Sequence, residues 1–253
     1  MQNRKSIDGF FKENVNISML NYIHKKKFSK INSIIGEGNS ISGLPFIQKG
    51  INQKLDYENN FILNKQKQFI IVNGNARIVD VHNHLLKNKF FCHYFPSYPY
   101  VTVAGCIANG SHGIAPRLGI FNDYIEEIKI YNPNFGFKKL SSIKNKDIFE
   151  LTKSGLGMTG VILSAKLKIF KLPSTNIIIK NYQFNNLLVC YKFMKQSKRI
   201  YNQNTFTINY AKKKIFLGRL ISGTFGRKEF LIKKVENNKI PKMRLGLFNF
   251  FFV

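Results

Sequence analysis

The sequence predicts an α+β fold in which glycine loops lead into short strands. Two observations point there. Short β-prone runs alternate with amphipathic helical stretches, a mixture that suits packed sheet and helix layers. Three glycine-rich segments, around Gly36 to Gly43, Ala104 to Gly110 and Ser154 to Gly160, each lie beside a β-prone run. None of them is the GxGxxG loop of a Rossmann unit, which needs a strand before it and a helix after it. None ends in Gly-Lys-Ser/Thr, so a Walker A loop is excluded as well.

Ser33-Ile34-Ile35 reads as a short strand that enters Gly36-Glu37-Gly38-Asn39-Ser40-Ile41-Ser42-Gly43. Glycines among small polar residues make a tight loop with accessible backbone N–H groups. Phe61 to Asn64 and Gln68 to Val72 are strand candidates, and Asn73-Gly74-Asn75 is a turn. Asp80 to Lys89 is expected to be helical, with Val81, Leu85 and Leu86 on one side. His82 and His84 are two apart, so they do not share a helix face and read as solvated or locally bonded.

After the turn at Pro96-Ser97-Tyr98-Pro99, Tyr100 to Val103 is expected to be β. Ala104 to Gly110 carries side chains too small to fill space, so either a ligand or a crossing element must approach its backbone. Phe121 to Tyr131 begins as a turn and ends as a strand, and Asn132-Pro133-Asn134-Phe135-Gly136 reverses the chain. Asp147 to Leu151 is a short helix candidate. Ser154 to Gly160 then leads into a strand through Leu167, Ile169 and Phe170. Leu172-Pro173-Ser174 marks a boundary. Beyond it Asn176 to Lys180 and Thr205 to Tyr210 are β-prone, Leu187 to Lys198 is a helix candidate, and Phe216 to Phe225 alternates weakly. Leu245 to Val253 is strongly apolar.

The 253 residues, 44% of them hydrophobic, allow one large domain or a domain and part of a second. The formal net charge of +27 is compatible with nucleic acid or acidic partners. Yet Lys, Asn, Ile and Phe all have codons rich in A and T, and the lysines are dispersed except at Lys25 to Lys27 and Lys212 to Lys214. No regular ladder of aromatics and lysines is visible, which disfavours a nucleic-acid partner. Cys92, Cys106 and Cys190 form no CxxC pair, which argues against a zinc site, a redox dithiol or a disulfide framework. Met1 to Phe11 lacks the apolar stretch of a signal peptide, and no run approaches a membrane span. A cytoplasmic protein is expected.

The order and spacing of the glycine segments resemble the FAD-linked oxidase family with the PCMH-type fold. The nearest likeness is to its decaprenylphosphoryl-ribose oxidase and aldonolactone oxidase branch. The first loop resembles that branch's Gly-x-Gly-x-Ser-x-Gly pattern through Gly36, Gly38, Ser40 and Gly43. The central stretch resembles Val-Thr-Val-Gly-Gly-Ala-Ile-Ala followed by His-Gly, through Val101 to Gly113. The third resembles Gly-x-Gly-Leu-Thr-Gly-Val-Ile through Gly155 to Ile162. The likeness covers Ile34 to Phe170 and continues faintly from Thr205 to Phe225.

The resemblance implies a PCMH-type domain over residues 1–171, with subdomains of about 1–90 and 91–171 holding an extended FAD. Residues 172–253 would be part of a substrate, or cap, domain. It implies oxidation of an alcohol or lactone group on a sugar-like substrate with hydride transfer to flavin. The cofactor-binding set it implies is Gly36, Glu37, Gly38, Asn39, Ser40, Gly43, Ser97, Thr102, Val103, Ala104, Gly105, Asn109, Ser111, His112, Gly157, Thr159, Gly160 and Val161. His112 is also the one candidate catalytic residue. The departures are Ala104 where the family has glycine, Ser42 where it often has an aromatic residue, and Pro96-Ser97-Tyr98 in place of Pro-Gly-Thr. Family members are longer, and a returning segment supplies an active-site tyrosine and lysine. This leads to the expectation of a truncated chain that is a poor oxidase alone, completed by a homo-oligomer or a complementing C-terminal polypeptide. The competing readings are an inactive or split flavin-fold remnant and a basic nucleic-acid-binding protein.

Overall fold

The structure, a computed structural model, describes residues 2–4, 15–20, 33–40, 45–47, 51–55, 60–113, 118–174, 177–197, 203–209 and 217–226. It is α+β, with mainly antiparallel sheets.

The first sheet joins β1 (Gln2–Arg4), β2 (Val15–Leu20), β3 (Ser33–Ile35) and β4 (Asn52–Leu55) in the order β1-β2-β4-β3. β4 runs parallel to both β2 and β3, and Ile35 is opposite Lys54. Asn52 is buried there. Its side chain donates to the Ile47 carbonyl and accepts from the Ile47 amide, both at 2.8 Å, which pins the segment after the first glycine loop.

The second sheet is antiparallel and holds the core. It joins β5 (Ile62–Asn64), β6 (Phe69–Asn73), β8 (Ile125–Asn132), β9 (Gly136–Ser141) and β10 (Val161–Lys168) in the order β5-β6-β10-β8-β9. The sheet thus takes strands from both sides of residue 90. Alternation along β6, β8 and β10 turns Ile70, Val72, Ile128, Ile130, Ala165 and Leu167 inward, all with at most 1% exposure. Against them lie α1 (Ile78–Lys87), α2 (Val103–Asn109) and α3 (Lys146–Thr152). They contribute Ile78, Val81 and Leu85, then Val103, Cys106 and Ile107, and finally Phe149. The spacing of three and four within α1 explains why it is a helix. It begins two residues before the expected start, because the Ile78 and Val79 amides find the carbonyls of Val101 and Pro99.

The expected strand at Tyr100 to Val103 is corrected by the structure. Thr102 makes a single bridge to Arg77, and the small-residue run that follows is α2. Thr102 is its N-cap, accepting from the Gly105 amide at 3.1 Å. The cap satisfies a first-turn donor and outweighs the β preference of Val103. At the other end Gly110 is left-handed, at φ +63°. Its amide and that of Ser111 donate to the Ile107 and Cys106 carbonyls, a Schellman ending.

A two-stranded pair, β7 (Phe90–Phe91) with β11 (Phe170–Lys171), leads toward a third sheet. That sheet joins β12 (Ile177–Phe184), β13 (Gln203–Asn209) and β14 (Leu217–Phe225) in the order β12-β14-β13. α4 (Leu187–Ser197) packs on it through Cys190 and Leu220. An edge-on contact of Phe91 with Phe225, 5.2 Å between ring centres, ties this sheet to the main core. His82 and His84, expected to be solvated or locally bonded, each pack against a ring, of Phe95 and Phe61 respectively.

All three cysteines are free and buried. Burial pushes the Cys92 and Cys106 thiols up to about 12, so neither is a reactive thiolate. Among the described residues no helix is long and apolar enough to cross a membrane, and no group of His, Cys, Asp or Glu could hold a metal ion. The apolar run Leu245 to Val253 lies outside the described residues.

Candidate functional site

The second glycine segment is α2 itself, and the first and third dock on it. The first loop docks at its start. A Cβ on Gly36 would lie 2.5 Å from Thr102 Oγ1, so only glycine permits this approach. Asn39 donates from Nδ2 to the Tyr100 carbonyl at 2.8 Å and fastens the far side of the loop to the same segment. Gly36, Glu37, Gly38, Asn39 and Ser40 are therefore gathered with Thr102, Val103, Ala104 and Gly105. Gly43 lies outside the described residues, and Ser97 is exposed on the bend that precedes the segment.

The third loop docks at the opposite end. Ser154 and Leu156 donate through their amides to the Ile107 and Ala108 carbonyls, both at 2.9 Å. Buried Asn122 donates from Nδ2 to Ile107 O at 3.2 Å and to Ser154 Oγ at 3.0 Å. Thr159 shares a hydroxyl hydrogen bond with Thr152 and accepts from Asn132 Nδ2 at its carbonyl, while Gly160 sits against the Tyr131 carbonyl. Asn109, Ser111, His112 and Gly157 thus belong to the C-terminal surroundings of α2, whereas Thr159 and Gly160 lie against α3 and β8 and Val161 opens β10 opposite Tyr131. His112 is exposed, with Nδ1 3.1 Å from its neighbour's carbonyl. A seven-residue helix separates the two groups by about 10 Å.

Hydrogen bonding distinguishes the loops chemically. All four first-turn amides of α2 are committed: Val103 to Ala76 O, Ala104 to Gly74 O, Gly105 to Thr102 Oγ1 and Cys106 to Thr102 O. The amides of Ser154, Gly155, Leu156, Met158 and Gly160 are likewise bonded within the protein. These two regions offer a ligand small-residue surface more than donors. The Gly36 and Gly38 amides, by contrast, donate to no backbone carbonyl among the described residues.

Two cations stand beside that first loop, and neither was evident from the sequence. Lys54, opposite Ile35 on β4, places Nζ 2.8 Å from Glu37 Oε2, with the two side chains 15% and 29% exposed. Arg77, bridged to Thr102, is hydrogen-bonded to Asp80 at 3.0 Å. Those bonds raise the Arg77 pKa, and Glu37 adds a weaker attraction. Lys54 lies in a polar strand with no motif around it, and only the β3–β4 register brings it to the loop. His93 was missed as well. It is half-buried among Phe91, Tyr94, Tyr124 and Phe170, and its Nε2 is buried with no hydrogen-bond partner among the described residues.

The site is thus two loop clusters at the ends of one short helix in an α+β domain. No family model matches the chain. Its homologues are aldonolactone oxidases and dehydrogenases. It is similar to the D-arabinono-1,4-lactone oxidase of Candida glabrata, with 24% identity over 154 residues, 58% of this chain and 29% of that protein. It is similar also to the mitochondrial L-galactono-1,4-lactone dehydrogenase 2 of Oryza sativa subsp. japonica, with 26% identity over 134 residues, 53% of this chain and 23% of that protein. The L-gulonolactone oxidase of Mus musculus is 26% identical over 106 residues, 42% of this chain and 24% of that protein. The chain spans about a quarter of the length of the curated relatives it matches.

Proposed function

We propose that this chain carries the FAD-holding, PCMH-type part of an oxidoreductase acting on sugar lactones or related alcohols. The observation that carries the proposal is the arrangement along α2: a tight glycine loop at one end, His112 at the other, and small, half-buried Ala104, Gly105 and Ala108 between them. An extended dinucleotide needs such a track, with an anion-binding loop for its pyrophosphate and a flat surface for what lies beyond. The residues present fit the pyrophosphate. Gly36 brings backbone close to Thr102, Gly38 is left-handed at φ +72°, and Lys54 supplies positive charge. Similarity to enzymes named for arabinono-, galactono- and gulonolactone supports the substrate class.

FAD, when bound, supplies the hydride acceptor. The roles assigned to the protein are to bind and to orient. Gly36 to Ser40 would hold the phosphates, and Ala104, Gly105 and Ala108 would let the cofactor lie close to α2. The exposed His112 would take the alcohol proton as substrate is oxidised. The test is anaerobic reduction. Purified protein loaded with FAD is mixed with L-galactono-, L-gulono- or D-arabinono-1,4-lactone, and the flavin absorbance is followed. Bleaching by an aldonolactone is expected. Bound flavin that none of the three reduces would remove the assigned reaction.

A further inference from the structure

Glu37 puts a carboxylate into the loop where the proposed function needs an anion to bind. Its Oε2 is 2.8 Å from Lys54 Nζ, and the field of the same carboxylate reaches Arg77. Both side chains of the Glu37–Lys54 pair are partly shielded, so the pair is less screened by salt than one on the open surface. Arg77 has its own carboxylate in Asp80. The four side chains, Glu37, Asp80, Lys54 and Arg77, sum to zero charge, so while Glu37 holds Lys54 these side chains add no net charge to the attraction that the Gly36 and Gly38 amides offer a phosphate. The first-turn amides of α2 cannot compensate, because Ala76, Gly74 and Thr102 already occupy them.

We propose that Glu37 is a built-in stand-in for the ligand's phosphate, and that binding is an ion-pair exchange in which pyrophosphate takes Lys54 from Glu37. This inference rests on the flavin reading for the identity of the natural ligand, but not for the exchange itself. It makes the two partners of one salt bridge act in opposite directions. Neutralising Glu37 removes a competitor and strengthens binding. Neutralising Lys54 removes the cation and weakens it. A merely structural salt bridge would weaken binding from either side.

The test is equilibrium binding of FAD, ADP, inorganic pyrophosphate and riboflavin to the wild type and to Glu37→Gln, Lys54→Met, Lys54→Arg and the Glu37→Gln/Lys54→Met double variant. Circular dichroism and thermal midpoints verify folding. Glu37→Gln should bind FAD, ADP and pyrophosphate several-fold more tightly. Lys54→Met should bind them about tenfold more weakly, the loss expected for one charge-assisted hydrogen bond. Lys54→Arg should stay near wild type, the double variant should resemble Lys54→Met, and riboflavin, which has no phosphate, should be unaffected throughout. Weaker or unchanged pyrophosphate binding by folded Glu37→Gln overturns the exchange, as does unchanged binding by folded Lys54→Met. Opposite shifts for pyrophosphate with no FAD binding would uphold the exchange and remove the flavin. No response to any phosphate ligand would overturn both.

Discussion

Gly38 and Gly105 demand glycine for different reasons. Gly38 is left-handed, and a Cβ there would lie 3.0 Å from Phe46 Cζ. A β-branched side chain in that conformation costs about 1–2 kcal/mol and pushes Phe46 away. Gly105 is helical, and its added Cβ would lie 3.0 Å from Thr102 Oγ1, on the capping group itself. Gly38→Val and Gly105→Val should each lower FAD affinity by about tenfold or more, read as loss of flavin fluorescence quenching on titration. Unchanged affinity in both would take these positions out of the site. His112 belongs to the other end of α2 and is exposed. His112→Ala should change stability by less than about 0.5 kcal/mol and keep bound flavin. It should slow flavin reduction by substrate by about a hundredfold, the share of a general base. A normal reduction rate would leave His112 without a catalytic role.

At the scale of elements, the weight falls on α2. Its first turn takes acceptors from the turn at 74–76, and the first turn of α1 takes acceptors from 99–101, so each helix start is held by the approach to the other. Thr102→Ala should therefore lower stability by about 1 kcal/mol in urea unfolding, with Thr102→Ser close to wild type. An equal loss in Ser would point to the lost methyl contact, not the cap. Gly74 is more demanding. An added Cβ would lie 2.1 Å from the Ile162 carbonyl oxygen, which is backbone and cannot swing aside. Gly74→Ala should cost about 3 kcal/mol, against less than 1 for Gly136→Ala beyond its left-handed strain, since nothing lies within 4 Å of that position. Comparable losses at both sites would contradict the close packing of β6 on β10.

The same element marks where the sequence could be read and where it could not. The hairpin at 132–136, the glycine loop before β10, α1, α3 and the succession of β12, α4 and β13 beyond Pro173 follow from local patterns of turn residues and apolar spacing. The helical state of Val103–Asn109 does not, because β-branched Val101, Thr102, Val103 and Ile107 favour strand locally. A side-chain cap and tertiary acceptors on Gly74 and Ala76 decide otherwise. The glycine loops were legible as loops, since glycine has few other uses at such density. Lys54, Arg77 and His93 were not, because their importance comes from register and packing between distant segments.

At the scale of the whole molecule, three histidines contribute a shared pH response. Burial lowers the pKa values of His82, His84 and His93 below the usual 6.5. Nearby Lys87 and Lys65 reinforce the effect at His84, and a hydrogen bond to the Leu118 backbone partly opposes it at His93. A lowered folded-state pKa means the unfolded chain binds more protons below about pH 6.5, so stability present above that value is lost as pH falls toward the folded pKa values. The thermal midpoint should drop between pH 7 and pH 5. His93→Phe, which keeps a ring among Phe91, Tyr124 and Phe170, should make the drop smaller. A midpoint that is flat or rises toward pH 5 would contradict the half-buried, neutral state of these rings.

The central claim is that the loops around α2 hold a flavin dinucleotide, and the most direct measurement is titration of the purified, flavin-free protein with FAD, monitored by fluorescence quenching and checked by equilibrium dialysis. Saturable one-to-one binding, competition by ADP, and weaker binding of FMN and riboflavin are expected on the proposed recognition of the pyrophosphate by the first loop. Failure of FAD to bind, or equal affinity for FAD and riboflavin with no competition by ADP, would contradict it.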